Sequence, residues 1–271
     1  MKQSWFAGIV LAGVTVAGLA LSGPFVGAAS AADIAQEPAP VVASSTNDWR
    51  FQATIYGWLT GMNGDVGVRG LGPARVNLTA SDVLSDLDGA LMASLAAEND
   101  QFLFISDFIF ARVSDDGTIR NGALGFDYTQ NQAIVQGLAG YKLPLGIPKL
   151  TLSPTVGFRY MYLNADLGIT PAGVPITLSD GGTEQWIDPT VGLYGHYDIT
   201  DKWFINALGD IGGFGVSSDL TWQAFGAVGY NWTKTLSTSI GYRAIYEDYE
   251  DGGFVYNMTQ QGVFAGLGIH F

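Results

Sequence analysis

The chain has 271 residues, of which 48% are hydrophobic and only 14% charged, with 37 glycines, no cysteine and a formal net charge of -13. The lack of cysteine excludes disulfide scaffolds and thiolate metal centres, and an acidic chain with no run of Lys or Arg excludes electrostatic binding to a nucleic-acid backbone. Low charge with abundant glycine and 13% aromatics suits crowded, twisted strands that face lipid.

Residues 1–32 have the three parts of an export signal: Lys2 as the charged head, an apolar stretch from Trp5 to Leu21, and the small residues Ala29, Ser30, Ala31 and Ala32 at the exit. Cleavage is expected after Ala31 or Ala32, with an uncleaved N-terminal anchor as the alternative. Residues 33–48, which contain Pro38 and Pro40, read as a flexible periplasmic leader. The remainder, 49–271, forms one domain.

From Trp49 onward the dominant period is two, the signature of a wall with one apolar face. In 49–60, Phe51, Ala53, Ile55, Gly57 and Leu59 are expected to face lipid, opposite Arg50, Gln52, Thr54, Tyr56, Trp58 and Thr60. The loop from Gly61 to Leu87 is expected to hold a hairpin, Gly64–Arg69 against Ala74–Thr79, and then a short helix, Ser81–Leu87, capped by Ser81 or Asp82. Further strands are expected at 88–98, 101–113, 120–142, 149–167, 183–199, 202–214, 219–233, 235–249 and 254–271. Two stretches break phase, near Gln130 to Gln132 and near Thr259 to Gly262, and predict β-bulges.

Ten strands result, with eight and twelve as the neighbouring even counts. The expected fold is all-β: an antiparallel up-and-down transmembrane β-barrel. Tight turns at 98–101, 143–148, 200–201 and 233–234 belong on the periplasmic side. Longer connections near 61–87, 114–119, 168–182 and 250–253, and a tight turn near 215–218, fall outside. Aromatic residues collect at strand ends, with Trp49, Tyr141, Tyr197, Trp203, Tyr230, Trp232 and Phe271 toward one rim and Phe110, Tyr162, Trp222 and Tyr246 toward the other. A soluble barrel or sandwich would turn its apolar face inward and has no need of such belts.

Three passages resemble the outer-membrane β-barrel proteins of proteobacteria, and in particular small barrels of alphaproteobacterial type. One is the terminal strand 262–271, with alternating apolar residues running back from Phe271. Another is the exit Ala31-Ala32-Asp33 before a Pro-containing leader. The third is 56–66 with Ser81-Asp82-Val83-Leu84 and Asp86-Leu87-Asp88. The resemblance implies residence in the outer membrane of a Gram-negative bacterium. It also implies recognition of the last strand by the barrel-assembly machinery, through Val263, Leu267, Ile269 and Phe271. It implies no activity.

Three kinds of function fit such a scaffold. For a channel, the inward set matters: bulky Tyr56, Trp58, Trp186, Tyr194, Phe204 and Phe225 beside Asp107, Arg159, Asp188, Asp210, Arg243 and Glu247. About eight strands enclose only side chains while open pores need about sixteen, so these six charges are expected to form an ion-pair network in a filled lumen. Any narrow path left would prefer cations, four carboxylates facing two arginines. For an enzyme, the two histidines are His196, near a periplasmic turn, and His270, beside the terminus, which is not where omptin-like proteases work. Asp115 and Asp116 read as turn residues. No enzymatic activity, cofactor or metal centre is expected. For interaction, the outer carboxylates Asp65, Asp82, Asp86, Asp115, Asp116, Glu250 and Asp251 would suit divalent cations bridging to lipopolysaccharide, or a solvated rim. The expected role is structural, in contact with outer-membrane lipids and with scope for narrow cation-preferring permeability. The alternative is a receptor or adhesin acting through residues 61–87.

Overall fold

The computed structural model describes residues 48–67, 73–119, 124–171 and 178–271. The expected signal peptide and nearly all of the leader lie outside them. The described elements are β1 (Arg50–Gly67), β2 (Ala74–Leu78), α1 (Ala80–Ser85), β3 (Leu87–Glu98), β4 (Phe102–Ile119), β5 (Leu124–Tyr141), β6 (Leu150–Pro171), β7 (Leu178–Asp198), β8 (Trp203–Gly213), β9 (Leu220–Asn231), β10 (Leu236–Asp251) and β11 (Phe254–His270). Each strand from β3 onward pairs antiparallel with its successor, and β11 pairs back onto β1 from Gln52↔His270 to Gly67↔Val255. The result is a closed barrel of ten wall strands, with β2 a short addition on the loop side of β1. Closure removes the bare edges that hydrocarbon does not tolerate.

The faces sort as the period-two pattern predicts. Ile55, Leu91, Val156, Ile187, Ile240 and Leu267 stand exposed on the outside, while Tyr56, Trp58, Met161, Trp186 and Phe204 are buried within. All six network charges point inward.

The two expected bulges do not form. Register runs unbroken through Gln130, Asn131 and Gln132 on both edges of β5, and through Thr259 to Gly262 on both edges of β11. Both faces are polar there because the strands have left the apolar belt: Asn131 bonds outward to Asn164 at 3.2 Å, and Gln261 is exposed. The described register shift lies instead between Leu87 and Gly89, where β3 meets β4.

The loop ends also differ from expectation. Strands β4 to β7 run on past the belt, pairing as far as Ile119↔Leu124 and Leu124↔Pro171. Asp115 and Asp116 are therefore strand residues opposite Tyr128 and Asp127, not turn residues. The β1–β2 hairpin pairs Met62–Val66 with Ala74–Leu78. The helix starts one residue earlier than expected, and its cap is Thr79 rather than Ser81 or Asp82. The Thr79 hydroxyl accepts from the Asp82 amide, and the Asp82 carboxylate accepts in return from the Thr79 amide at 2.8 Å, a reciprocal capping box.

Candidate functional site: a filled lumen

Inward-facing side chains of the wall strands divide the lumen into three layers. Toward the loop end it is mostly apolar, with Gln132 and Gln260 donating to the Tyr256 hydroxyl. Trp186 stacks on Tyr249 with ring centroids 4.1 Å apart, and Tyr256 lies tilted against Trp186. Ile134, Met161, Ile245 and Met258 pack around them with at most 1% of their surface exposed. These residues alternate with lipid-facing ones on β5, β6, β10 and β11, so the strand period alone brings them together.

Below this layer sits a charged one. Arg159 donates to Asp210 at 2.6 Å and to the Thr221 hydroxyl, and lies 3.6 Å from Glu247. Arg243 donates to Asp107 at 3.2 Å and to the Tyr56 oxygen at 3.1 Å, and its guanidinium stands 5.4 Å from the centroid of the Trp58 ring. Gln223 joins the two halves. Its carbonyl oxygen accepts from Arg243 at 2.6 Å, and its amide donates to Asp210 at 3.2 Å and to Gln136 at 3.1 Å. Gln136 in turn donates to Asp210 at 2.8 Å. One chain of contacts thus crosses the lumen from Tyr56 through Asp107, Arg243, Gln223, Asp210 and Arg159 to Glu247.

Asp188 departs from the expected ion-pair network. It faces Arg159 in the register, yet Arg159 reaches Asp210. The Asp188 carboxylate instead accepts from the Ser218 amide at 2.8 Å and the Ser218 hydroxyl at 2.6 Å. The β8–β9 turn makes this possible, because Gly213 and Phe214 take positive φ of 87° and 53° and fold Ser218 back over the lumen. Asp188 is therefore a clamp on a loop rather than the partner of an arginine.

Toward the turn end a cavity of about 120 Å³ remains, floored by Tyr56, Asp107 and Arg243 and flanked by Thr54, Asn206 and Ser239. Near it, His196 Nδ1 lies 2.6 Å from the Asn206 oxygen and Nε2 lies 3.3 Å from Asp198. His270 Nε2 lies 2.9 Å from the Ser237 hydroxyl. On the outer wall Val263, Leu267, Ile269 and Phe271 all face outward and are exposed.

The charges were readable from strand phase. Gln136, Gln223, Thr221 and Ser218 were not singled out, although Gln136 and Gln223 occupy inward positions where a barrel open to water has no need of a buried amide. A glutamine on the inward period beside charged neighbours was the available signal.

A closed antiparallel wall, apolar outside and polar or aromatic inside, with aromatic residues at both borders, defines a transmembrane β-barrel of the outer-membrane type. No protein-family model matches the chain, and no curated protein does. Among solved structures it is similar to Ail, the attachment invasion locus protein of Yersinia pestis (8% identity, 82% of this chain and 98% of that one, TM-score 0.36). It is similar also to the translocator domain of the autotransporter NalP from Neisseria meningitidis (14%, 82% and 88%, TM-score 0.39). A third is the transport unit of the autotransporter AIDA-I from Escherichia coli (8%, 85% and 92%, TM-score 0.42).

Proposed function

We propose that this chain is a non-enzymatic structural barrel of the outer membrane whose lumen does not conduct ions. The observation that carries the reading is the hydrogen-bonded chain from Tyr56 to Glu247, its last link made through the Thr221 hydroxyl, lying beneath a mostly apolar layer. An ion crossing it would have to part buried pairs and then enter a layer whose few polar groups, Gln132, Gln260 and the Tyr256 hydroxyl, already bond one another, both costly steps. The test is single-channel recording in potassium chloride after the mature chain is refolded into a planar bilayer, with folding shown by heat-shifted gel mobility. A silent bilayer is expected. Steady cation-selective steps altered by Asp188→Ala would overturn the reading and establish the narrow cation path instead.

A receptor role has its own support in the strands that continue beyond the belt. β5 and β6 stay paired from Asn131↔Asn164 to Leu124↔Pro171, an ordered arm larger than the β1–β2 hairpin. Loss of cell-surface attachment on shortening this arm, with attachment retained on deleting residues 64–79, would move the receptor surface from the first loop to the second. Contacts with lipopolysaccharide through cations at the acidic rim, and with the assembly machinery through Phe271, belong to the same proposal. Loss of the calcium dependence of thermal stability on neutralising Asp65, Asp115 and Asp116 is the expected sign of the first. Slowed membrane insertion on removing Phe271 is that of the second.

A further inference from the structure

Among the described wall strands two stretches lack a cross-strand partner: the β7 edge from Leu178 to Pro189, beyond the reach of the shorter β8, and the β1–β3 seam. β1 and β3 pair from Arg50↔Glu98 to Ile55↔Ala93, and there the ladder stops, although both strands continue. β1 keeps its partner β11 on the other edge as far as Gly67, and β3 keeps β4 back to Leu87. β1 regains a neighbour on the open side only at Met62↔Leu78. Between these points no pairing joins Tyr56–Gly61 to Leu87–Met92.

The main chain shows which groups are left bare. Phe51 exchanges both of its backbone hydrogen bonds with Phe271, so on this regular strand the odd residues point their amides and carbonyls at β11 and the even ones toward β3. The backbone groups of Tyr56, Trp58 and Thr60 therefore point into the gap. The part of the gap from Tyr56 to Leu59 lies within the apolar belt, between the exposed Ile55, Leu59 and Leu91, and Gly57 and Gly89 leave open space on its outer lips. Hydrocarbon does not tolerate bare backbone edges, so an unpaired stretch at this depth marks a place where the wall has two arrangements rather than one.

What adjoins the gap is specific. Inward of it are Trp58, Met92 and Ile109, all members of the apolar lumen layer. At its head stands α1, which has no buried residue and follows β2 so closely on β1 that a Cβ on Gly61 would come 2.8 Å from the Leu78 carbonyl. The register shift of β3 against β4 at Leu87/Gly89 lies at the same level. Below it, the register would continue without adjustment to pair Tyr56 with Met92 and Trp58 with Ala90.

We propose that the β1–β3 seam is a lateral port by which an uncharged apolar molecule dissolved in the outer leaflet reaches a site against Trp58, Met92 and Ile109. Its closed state is the continued ladder. Hydrocarbon lies on one side and an apolar layer on the other, so such a molecule crosses without meeting water, while an ion or a sugar has no favourable step along the route. Methionine suits the inner lip because its unbranched side chain moves aside at little cost. The proposal goes beyond the non-conducting barrel and is independent of it, since a lateral port needs no path through the charged layer.

The chain has no cysteine, so a disulfide can close the seam selectively. Gly57→Cys with Leu91→Cys places the pair opposite one another in the continued register, at a non-hydrogen-bonded position where side chains lie closest. Tryptophan quenching by 1-bromododecane is read in proteoliposomes, and the share due to Trp58 is taken as the difference from the same protein carrying Trp58→Phe. Oxidation of the folded double variant is expected to remove most of that share, and reduction to restore it. Val228→Cys with Ile240→Cys, opposite one another on the fully paired β9–β10 wall, is expected to leave it unchanged. Failure of the 57–91 disulfide to form in a barrel that retains its heat-shifted mobility would overturn the proposal, because the strands would then have no closed state. Equal Trp58 quenching in the locked and unlocked forms would overturn it too.

Discussion

The apolar and charged layers of the lumen are equally buried and opposite in chemistry. Met161 and Ile245 in one, and Arg159 and Asp188 in the other, expose at most 1% of their surface. An apolar layer is held by volume, so it tolerates exchange among side chains of similar size. A charged layer is held by pairing, so what matters is whether each charge keeps its partner. The same depth therefore carries different sensitivities. The sharpest way to break the comparison is Arg159→Ala, which leaves Asp210 and Glu247 without their cation and is expected to cost about 3–5 kcal/mol, read from urea unfolding in lipid vesicles. Arg159→Met combined with Asp210→Leu, which removes charge from both sides, is expected to regain much of that loss. A double variant as unstable as the single one would mean that the layer is held by shape after all.

The apolar layer should respond in a graded way. Trp186→Ala removes the stack on Tyr249 and is expected to cost about 3 kcal/mol, toward the lower end for large aromatic deletions because the neighbouring methionines can collapse into the space. Met161→Leu, nearly equal in volume, is expected to cost less than about 1.5 kcal/mol in the same assay. If Met161→Leu rivals Arg159→Ala, the distinction between the layers fails.

What the sequence made legible follows the same division. Period two placed Tyr56, Trp58, Trp186, Arg159 and Arg243 inside, because alternation is a local property of each strand and survives any uncertainty in strand ends. It also gave the number of wall strands. It misread Gln130–Gln132 and Thr259–Gly262 as bulges, because alternation is a signal only where one face meets lipid, and these strands stay regular after leaving it. Nor could it show that Asp188 would hold Ser218 rather than Arg159. That choice depends on the Gly213–Phe214 turn and on Asp210 arriving from a third strand, which are facts of tertiary structure. The β1–β3 seam was hidden for a related reason: where that ladder stops is set by how β2, α1 and the register shift at Leu87 and Gly89 pack between the strands, which alternation does not report.

The smallest expected effect lies outside both layers, at the α1 cap, where water rather than pairing or volume sets the energy. The Asp82 carboxyl is held below its ordinary range by hydrogen bonds, first from the Thr79 side chain and then from the Thr79 amide. A lowered folded-state value means that the carboxylate stabilises the helix fully above the ordinary aspartate range, near pH 4. The contribution is lost as pH falls through and below that range. Hydrogen exchange at the amides of Val83 and Asp86, which bond to the Thr79 and Asp82 carbonyls, should therefore show constant protection relative to intrinsic rates near neutral pH and a decline in acid. Thr79→Ala is expected to lower the neutral plateau and flatten the decline. Because α1 has no buried residue and its Asp82 cap is exposed and screened, the change should stay local, with the amides of β10 and β11 unaffected. Acid-induced loss of protection spreading from α1 into Tyr56–Gly61 would instead tie the cap to the seam beneath it.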